Sequence, residues 1–242
     1  MDFEGIYSVW LKHNQELHKE KYKKHKGSFS ASSAGSCYRK QMYRRDKYEG
    51  TELKPRNARL LRLGTIVHND FEKAVNRYKT HSDFSHQILV EHQIVIPDLN
   101  LVGHLDFAIV DKDNKRIEVF DLKTCGTYKW RLKYGRGAVN KIDSRYAMQV
   151  ATYGIGLGIK HEITDITLWL IWYNKDTSAF REERVPQDWI GSAIEYWEEV
   201  NETLDGVTSD NGAELIPGSY GVPMMNWECR YCGFKDIHCQ GI

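Results

Sequence analysis

The sequence of 242 residues contains no run approaching the ~20 apolar residues that a membrane-spanning helix needs. A helical membrane protein is excluded, and no membrane partner is expected. Its opening residues, Met1-Asp-Phe-Glu-Gly, lack the basic start and apolar core of a secretory signal, so a cytoplasmic protein is the expectation. No G-x4-G-K-[ST] loop is present, which leaves the chain without a nucleotide-driven motor of its own. No internal repeat and no low-complexity linker divide it. Cysteine is scarce, five residues in all. In a cytoplasmic setting the cluster Cys229, Cys232 and Cys239 suggests metal ligands or free thiols rather than disulfides.

What is present is the composition of an ordinary globular protein, 41% hydrophobic and 28% charged, and long enough to bury a sizeable core. The net charge of +1 conceals an asymmetry. Residues 1–62 carry 15 Lys/Arg against 7 Asp/Glu, whereas the remainder carries 19 against 26. A basic leading segment on an acidic body points to a polyanion partner or, equally, to a solvated helix face. The 14 tyrosines and 7 tryptophans suit packing and base stacking alike.

Along residues 3–26 the apolar Phe3, Ile6, Tyr7, Trp10, Leu11 and Leu17 recur near every 3.6 residues, predicting a helix with a strongly basic end. A small, polar stretch around Ser28 to Ser36 predicts a loop or helix start. A basic helix from about Cys37 to Tyr48 and a longer one from about Arg56 to Tyr78 follow. Strands are predicted over Gln87–Ile96, Leu101–Val110 and Arg116–Lys123, the last two joined by a hairpin turn. Residues 126–142, rich in Gly, Lys and Arg, read as a mobile loop. A helix over Asp143–Leu157, strands over Ile163–Tyr173 and Phe180–Val185, and an amphipathic helix over Gln187–Leu204 precede a Gly/Pro/Asn-rich tail.

Residues able to carry chemistry fall on these elements. His68 and Glu72 lie four apart on one helix face, behind Gly64, where another backbone can approach closely. Gly103-His-Leu-Asp106 closes a strand. Asp121 and Lys123 share one face of the next strand, because side chains alternate. Gln149 and Tyr153 again lie four apart on a helix. Taken singly, each has an ordinary reading as a surface pair, a turn, an ion pair or packing. Together, two carboxylates and an amine within about twenty residues can hold a hard divalent cation beside a cationic side chain. Charged groups in apolar strands must find such partners or solvent.

A helix with G-x3-H-x3-E, a strand ending in G-x-x-D, a hairpin into D-x-K and a helix with Q-x3-Y together resemble the PD-(D/E)XK nucleases of the RecB type, over roughly residues 30–173. The resemblance implies an α/β, restriction-endonuclease-like core: a central mixed sheet flanked by helices, with N- and C-terminal elements joined by a metal cluster. It implies that Asp106 and Asp121 bind Mg²⁺ or Mn²⁺ through carboxylate oxygens, with the His68 imidazole and the Leu122 backbone carbonyl as further ligands. Histidine tilts the choice toward Mn²⁺. Lys123 would orient or activate the attacking water, Gln149 and Tyr153 would steady Lys123 or the DNA backbone, and Glu72 would stand behind them.

Cys229-x2-Cys232-x6-Cys239 supplies three sulfurs where a tetrahedral site needs four. Cys125 follows the Asp-x-Lys strand and is expected to pack near the active site, so Cys37 is the better fourth. The arrangement is similar to that of iron–sulfur nucleases, the CRISPR-adaptation and AddB types among them, with one cysteine before the core and three after it. That likeness implies a four-iron, four-sulfur cluster stapling the two ends of the domain. The last spacing, six residues rather than five, leaves Zn²⁺, or His238 in place of one sulfur, as the alternative.

The expected function is a metal-dependent deoxyribonuclease, an exonuclease on duplex ends or single-stranded DNA in recombination, repair or phage DNA processing, alone or beside a separate helicase or recombination protein. The alternatives are a DNA endonuclease and a metal-stabilised nucleic-acid-binding or scaffold protein of a recombination or CRISPR-adaptation complex. Arg39, Lys40 and Arg44 in the basic segment, with Lys129, Trp130 and Arg131 in the loop, pair phosphate-binding charge with stacking surface. Residues 1–62 are expected to be a basic helical part of the domain, 63–205 its core, and 206–242 a cysteine-containing appendage.

Overall fold

A computed structural model of the chain describes residues 2–21, 27–81, 86–138, 142–208, 215 and 218–241. In chain order the elements are α1 (Phe3–Lys21), β1 (Phe29–Ser30), α2 (Tyr38–Arg45), α3 (Pro55–His81), β2 (Gln87–Ile96), β3 (Leu101–Asp111), β4 (Arg116–Cys125), α4 (Thr127–Tyr134), α5 (Ser144–His161), β5 (Asp165–Asn174), β6 (Phe180–Val185) and α6 (Trp189–Thr203). The six strands form one mixed sheet. The β2–β3, β3–β4 and β5–β6 pairs are antiparallel, while β4–β5 and the short β1–β3 pair are parallel.

The sheet is built from runs whose inward residues alternate, as Ile117, Val119 and Asp121 do in β4. Neighbouring residues of β5 define its two faces. Trp172 packs edge-on against Tyr146 of α5, whereas Tyr173 and its partner Phe180 meet Phe71 of α3. Helix α5 can lie close because Gly154 and Gly156 carry no side chain. A Cβ on Gly156 would stand 2.1 Å from Ile94 Cγ2. Helix α6 packs on α5, its Trp197 indole donating to Thr152 Oγ1 at 2.9 Å.

The element most relevant to function is a fork in the sheet. The β3–β4 ladder runs from Asp111↔Arg116 to Phe107↔Phe120 and goes no further. Beyond it β1 takes over the edge of β3, pairing Phe29 with Leu101. Asp106 and Asp121, next in register, therefore face one another where the strands part. The Leu122 N–H donates to the Asp106 carboxylate at 2.7 Å rather than to a strand neighbour.

The structure corrects the expected pattern in three places. Asp106 does not close a strand, since β3 continues to Asp111; the ladder opens at Asp106 instead. Residues 127–134 form helix α4 rather than a loop. The Asp176 carboxylate accepts the Thr127 N–H at 2.6 Å, and Lys133 is buried in an ion pair with Glu183, so tertiary contacts offset weak local helix preference. Residues 139–141 of that expected loop lie outside the described residues, as do 22–26 of the first helix. Third, among the described side chains of α1's apolar repeat only Leu11 is deeply buried; Phe3, Ile6 and Trp10 stay exposed, with Arg62 of α3 resting over the Trp10 ring.

The two ends of the chain meet. Tyr38 N–H donates to the Gly221 carbonyl, Thr51 N–H to that of Gly233, and the Tyr43 hydroxyl to that of His238.

Candidate active site

Four elements converge on the fork. From α3, the His68 Nδ1 stands 3.4 Å from Asp106 Oδ1, so this carboxylate faces an imidazole with one oxygen and the Leu122 N–H with the other. Gly64, one turn earlier, lies against Thr124 of β4. From β4, Asp121 is buried (1% exposed) and its Oδ2 lies 2.6 Å from Lys123 Nζ. From α5, Gln149 Oε1 accepts from Lys123 Nζ at 2.9 Å while its amide nitrogen donates to the Tyr153 hydroxyl at 3.0 Å. The sequence-expected residues Asp106, Asp121, Lys123, Gln149, Tyr153 and His68 are thus brought together in one chain of contacts, with the Leu122 backbone beside them.

Burial pushes the Asp121 carboxyl up to about 6, with Asp106 adding to the rise and Lys123 opposing it. Burial works against the Lys123 ammonium, yet the adjacent carboxylates of Asp121 and Asp106 outweigh it and raise its pKa. The same balance raises His68, where burial is overcome by the hydrogen bond and charge of Asp106. Burial, then the charge of Asp121, holds the Tyr153 hydroxyl well above its ordinary value. Perturbed carboxylate, amine and imidazole groups packed together mark this cluster as a candidate functional site.

The residues fit a divalent cation. One imidazole and two carboxylates are the donor set that suits Mn²⁺ or Mg²⁺. Asp121 Oδ2 is also a buried oxygen with no well-directed hydrogen bond, since Lys123 meets it as a charge rather than as an aligned donor. Among the described residues, no three His, Cys, Asp or Glu side chains already stand in a metal-holding arrangement. His68 and Lys123 engage the two carboxylates in its place.

Sequence reasoning missed two neighbours. The Tyr146 ring lies 4.7 Å from Lys123 Nζ and equally far from Lys129 Nζ, and Arg145 rests over Trp227. Their spacing from Gln149, three and four residues, is the same helical signal that selected Tyr153. The other expected contacts are dispersed. Arg39 and Lys40 are half-buried and line the cysteine cavity, Arg39 donating to Cys239 Sγ at 3.4 Å. Arg44 and Arg131 are exposed, Trp130 packs on Tyr134, and Glu72 sits half-buried further along α3.

Cys37, Cys229, Cys232 and Cys239 all line one small cavity between α2 and the C-terminal element, while Cys125 is buried at the end of β4. Burial pushes the Cys37 thiol up to about 11, against the N–H groups of Lys40 and Arg39. His238 Nε2 is engaged by the Glu49 carbonyl at 2.8 Å.

A carboxylate pair and a lysine thus stand at a sheet fork, with a glutamine and a tyrosine behind them. The sequence profile of the PD-(D/E)XK nuclease superfamily matches residues 66–240, and the chain belongs to this superfamily. Its members generally use divalent metals. A solved structure described as SSO0001 has a TM-score of 0.58 at 19% identity, covering 97% of each chain. The alkaline exonuclease LHK-Exo of Laribacter hongkongensis has a TM-score of 0.44 at 12% identity, covering 78% of this chain and 93% of its own. No curated protein matches.

Proposed function

We propose that this protein is a divalent-metal-dependent deoxyribonuclease acting as an exonuclease on DNA ends or single strands. The observation that carries the reading is the contact chain Asp121–Lys123–Gln149–Tyr153 beside Asp106 at the sheet fork. Asp106, Asp121, His68 and the Leu122 carbonyl would hold Mg²⁺ or Mn²⁺. When bound, the ion supplies a Lewis acid for the phosphate and a hydroxide near neutral pH. The chain's own groups do the rest. Lys123, held by Gln149, presents its ammonium to the negative charge that grows on the phosphate during attack. Tyr153 keeps Gln149, and so Lys123, in one orientation.

The test is digestion of end-labelled single- and double-stranded DNA, and of a closed circle, with Mg²⁺, Mn²⁺ or EDTA. Expected are metal-dependent mononucleotide release and a resistant circle. Cleavage of the circle would identify an endonuclease instead. No cleavage with either metal would overturn the nuclease reading.

The same reading assigns a four-iron, four-sulfur cluster to Cys37, Cys229, Cys232 and Cys239. What supports it is that these four cysteines line one cavity where the chain ends meet. Anaerobically purified protein is expected to be brown, with iron and sulfide in equal amounts. Colourless, zinc-loaded protein would replace the cluster with a zinc site.

A further inference from the structure

We propose that the cleft between α4, the first turn of α5 and the C-terminal element binds one unpaired nucleotide of the substrate strand, its base on Trp227 and its phosphate against Lys129 and Arg145. This rests on the nuclease reading above and adds a substrate preference to it. The cleft measures about 360 Å³ and is lined by Lys129, Arg145, Trp172, Met225 and Trp227 among others. That volume lies at the lower end of small-ligand pockets, about 300–1,000 Å³.

Two large apolar side chains stand in solvent at its rim. Trp227 is 43% exposed and Met225 38% exposed, whereas the floor, Trp172, is buried. The Arg145 guanidinium lies 4.3 Å from the Trp227 ring centroid. It stiffens the indole and leaves a cation beside a stacking surface, the pairing that single-strand binding sites use. The indole is also held from behind. Its neighbour Glu228 is buried and accepts the N–H of Met225 at 3.1 Å and of Cys37 at 3.4 Å, with Arg145 Nη1 at 3.7 Å. One carboxylate therefore fixes the C-terminal element to α5 and to the cysteine cavity, and Trp227 is presented from that junction.

The cleft continues the candidate active site. The Tyr146 ring is shared between them, its centroid 4.7 Å from both Lys123 Nζ and Lys129 Nζ. Arg145 and Gln149 share one face of α5, about 6 Å apart along its axis. That is one to two steps of a strand rising about 3.4 Å per nucleotide. Lys129 is paired with Asp143 at 3.5 Å, so an incoming phosphate competes with a carboxylate there. Lys133 already belongs to Glu183. The cleft's cations for a phosphate are therefore Arg145, loosely shared with Glu228 at 3.7 Å, and Lys129 once drawn off Asp143. A base can stack on Trp227 only if its face is free, which a paired and stacked base cannot offer.

The test uses full-length wild type, Trp227→Ala and Trp227→Phe. Binding of a fluorescein-labelled oligothymidylate and of a blunt duplex is measured in EDTA, and KM for both with Mn²⁺. Trp227→Ala is expected to weaken single-strand binding about 5- to 150-fold, the stacking of one base, with KM rising in step. Duplex binding should change less than twofold, and phenylalanine should recover most of the loss. The inference is overturned by unchanged single-strand binding in Trp227→Ala. Equal losses on both substrates, or a phenylalanine variant no better than alanine, would also overturn it by marking Trp227 as a structural brace. Wild type that binds but cleaves nothing would sink the nuclease reading, and the binding arm would still decide this one.

Discussion

Replacing Lys123 by methionine, or Asp121 by asparagine, is expected to lower the single-turnover rate of DNA cleavage by at least about 10²–10³-fold, the scale on which one preorganised electrostatic group contributes. Lys123 Nζ lies 2.6 Å from Asp121 and 2.9 Å from Gln149, over the Tyr146 ring. Asp121→Asn removes the charge that holds the ammonium forward, and Lys123→Met removes the ammonium. Groups that act as a unit are not additive. The double variant should therefore fall within about tenfold of the worse single one. Alanine is the wrong probe here. The sequence alone suggests that Asp121→Ala and Lys123→Ala fold normally, but Asp121 is 1% exposed. Neutralising either partner leaves a buried charge alone, at a cost of about 3–5 kcal/mol whichever residue replaces it. Alanine adds a cavity to that cost, which asparagine and methionine, of similar volume to the residues they replace, avoid. Thermal melting beside the cleavage assay separates the effects. A variant with a near-native melt and a rate within tenfold of wild type would remove this pair from the chemistry.

The strands and long helices were legible because each carries its own period. β2, β3 and β4 begin where alternation begins, and the i,i+4 spacing of Gln149 and Tyr153 matched a real helix face. The fork was not legible. It arises because β1, two residues long and more than seventy positions upstream, takes over the edge of β3, and no local pattern announces so short a strand. For the same reason Asp106 looked like a strand end. Helix α4 was hidden by its composition. Lysines and flanking glycines read as loop, and its anchor, Glu183, lies 50 residues away. Trp227 carries no local signal of its own in a segment marked chiefly by cysteines. Its relation to Arg145 exists only once the chain ends are brought together by Glu228.

That anchor carries the second large effect. Glu183→Ala is expected to cost about 3–5 kcal/mol, the usual result of stripping one partner from a buried pair. Lys133 Nζ lies 2.9 Å from the Glu183 carboxylate with both side chains 7% exposed, and the Trp172 indole donates to the same carboxylate at 2.9 Å. The variant would take this carboxylate away from a buried ammonium and a buried indole N–H. With a domain of this size losing about 2–4 °C per kcal/mol, the melting temperature should fall roughly 6–20 °C. The paired substitution Lys133→Met with Glu183→Leu removes both charges and should recover most of that loss, because apolar replacement of a whole buried pair is often neutral. The two variants also separate stability from function. Lys129 stands one turn of α4 before Lys133, so loosening α4 in Glu183→Ala should raise KM for DNA beyond what partial unfolding explains at a temperature well below the melt. If the single variant melts within 2 °C of wild type, roughly 1 kcal/mol or less, the pair does not anchor α4. The helix would then owe its place to Trp130 and Tyr134 packing on the sheet, and DNA affinity should follow substitutions at those rings instead.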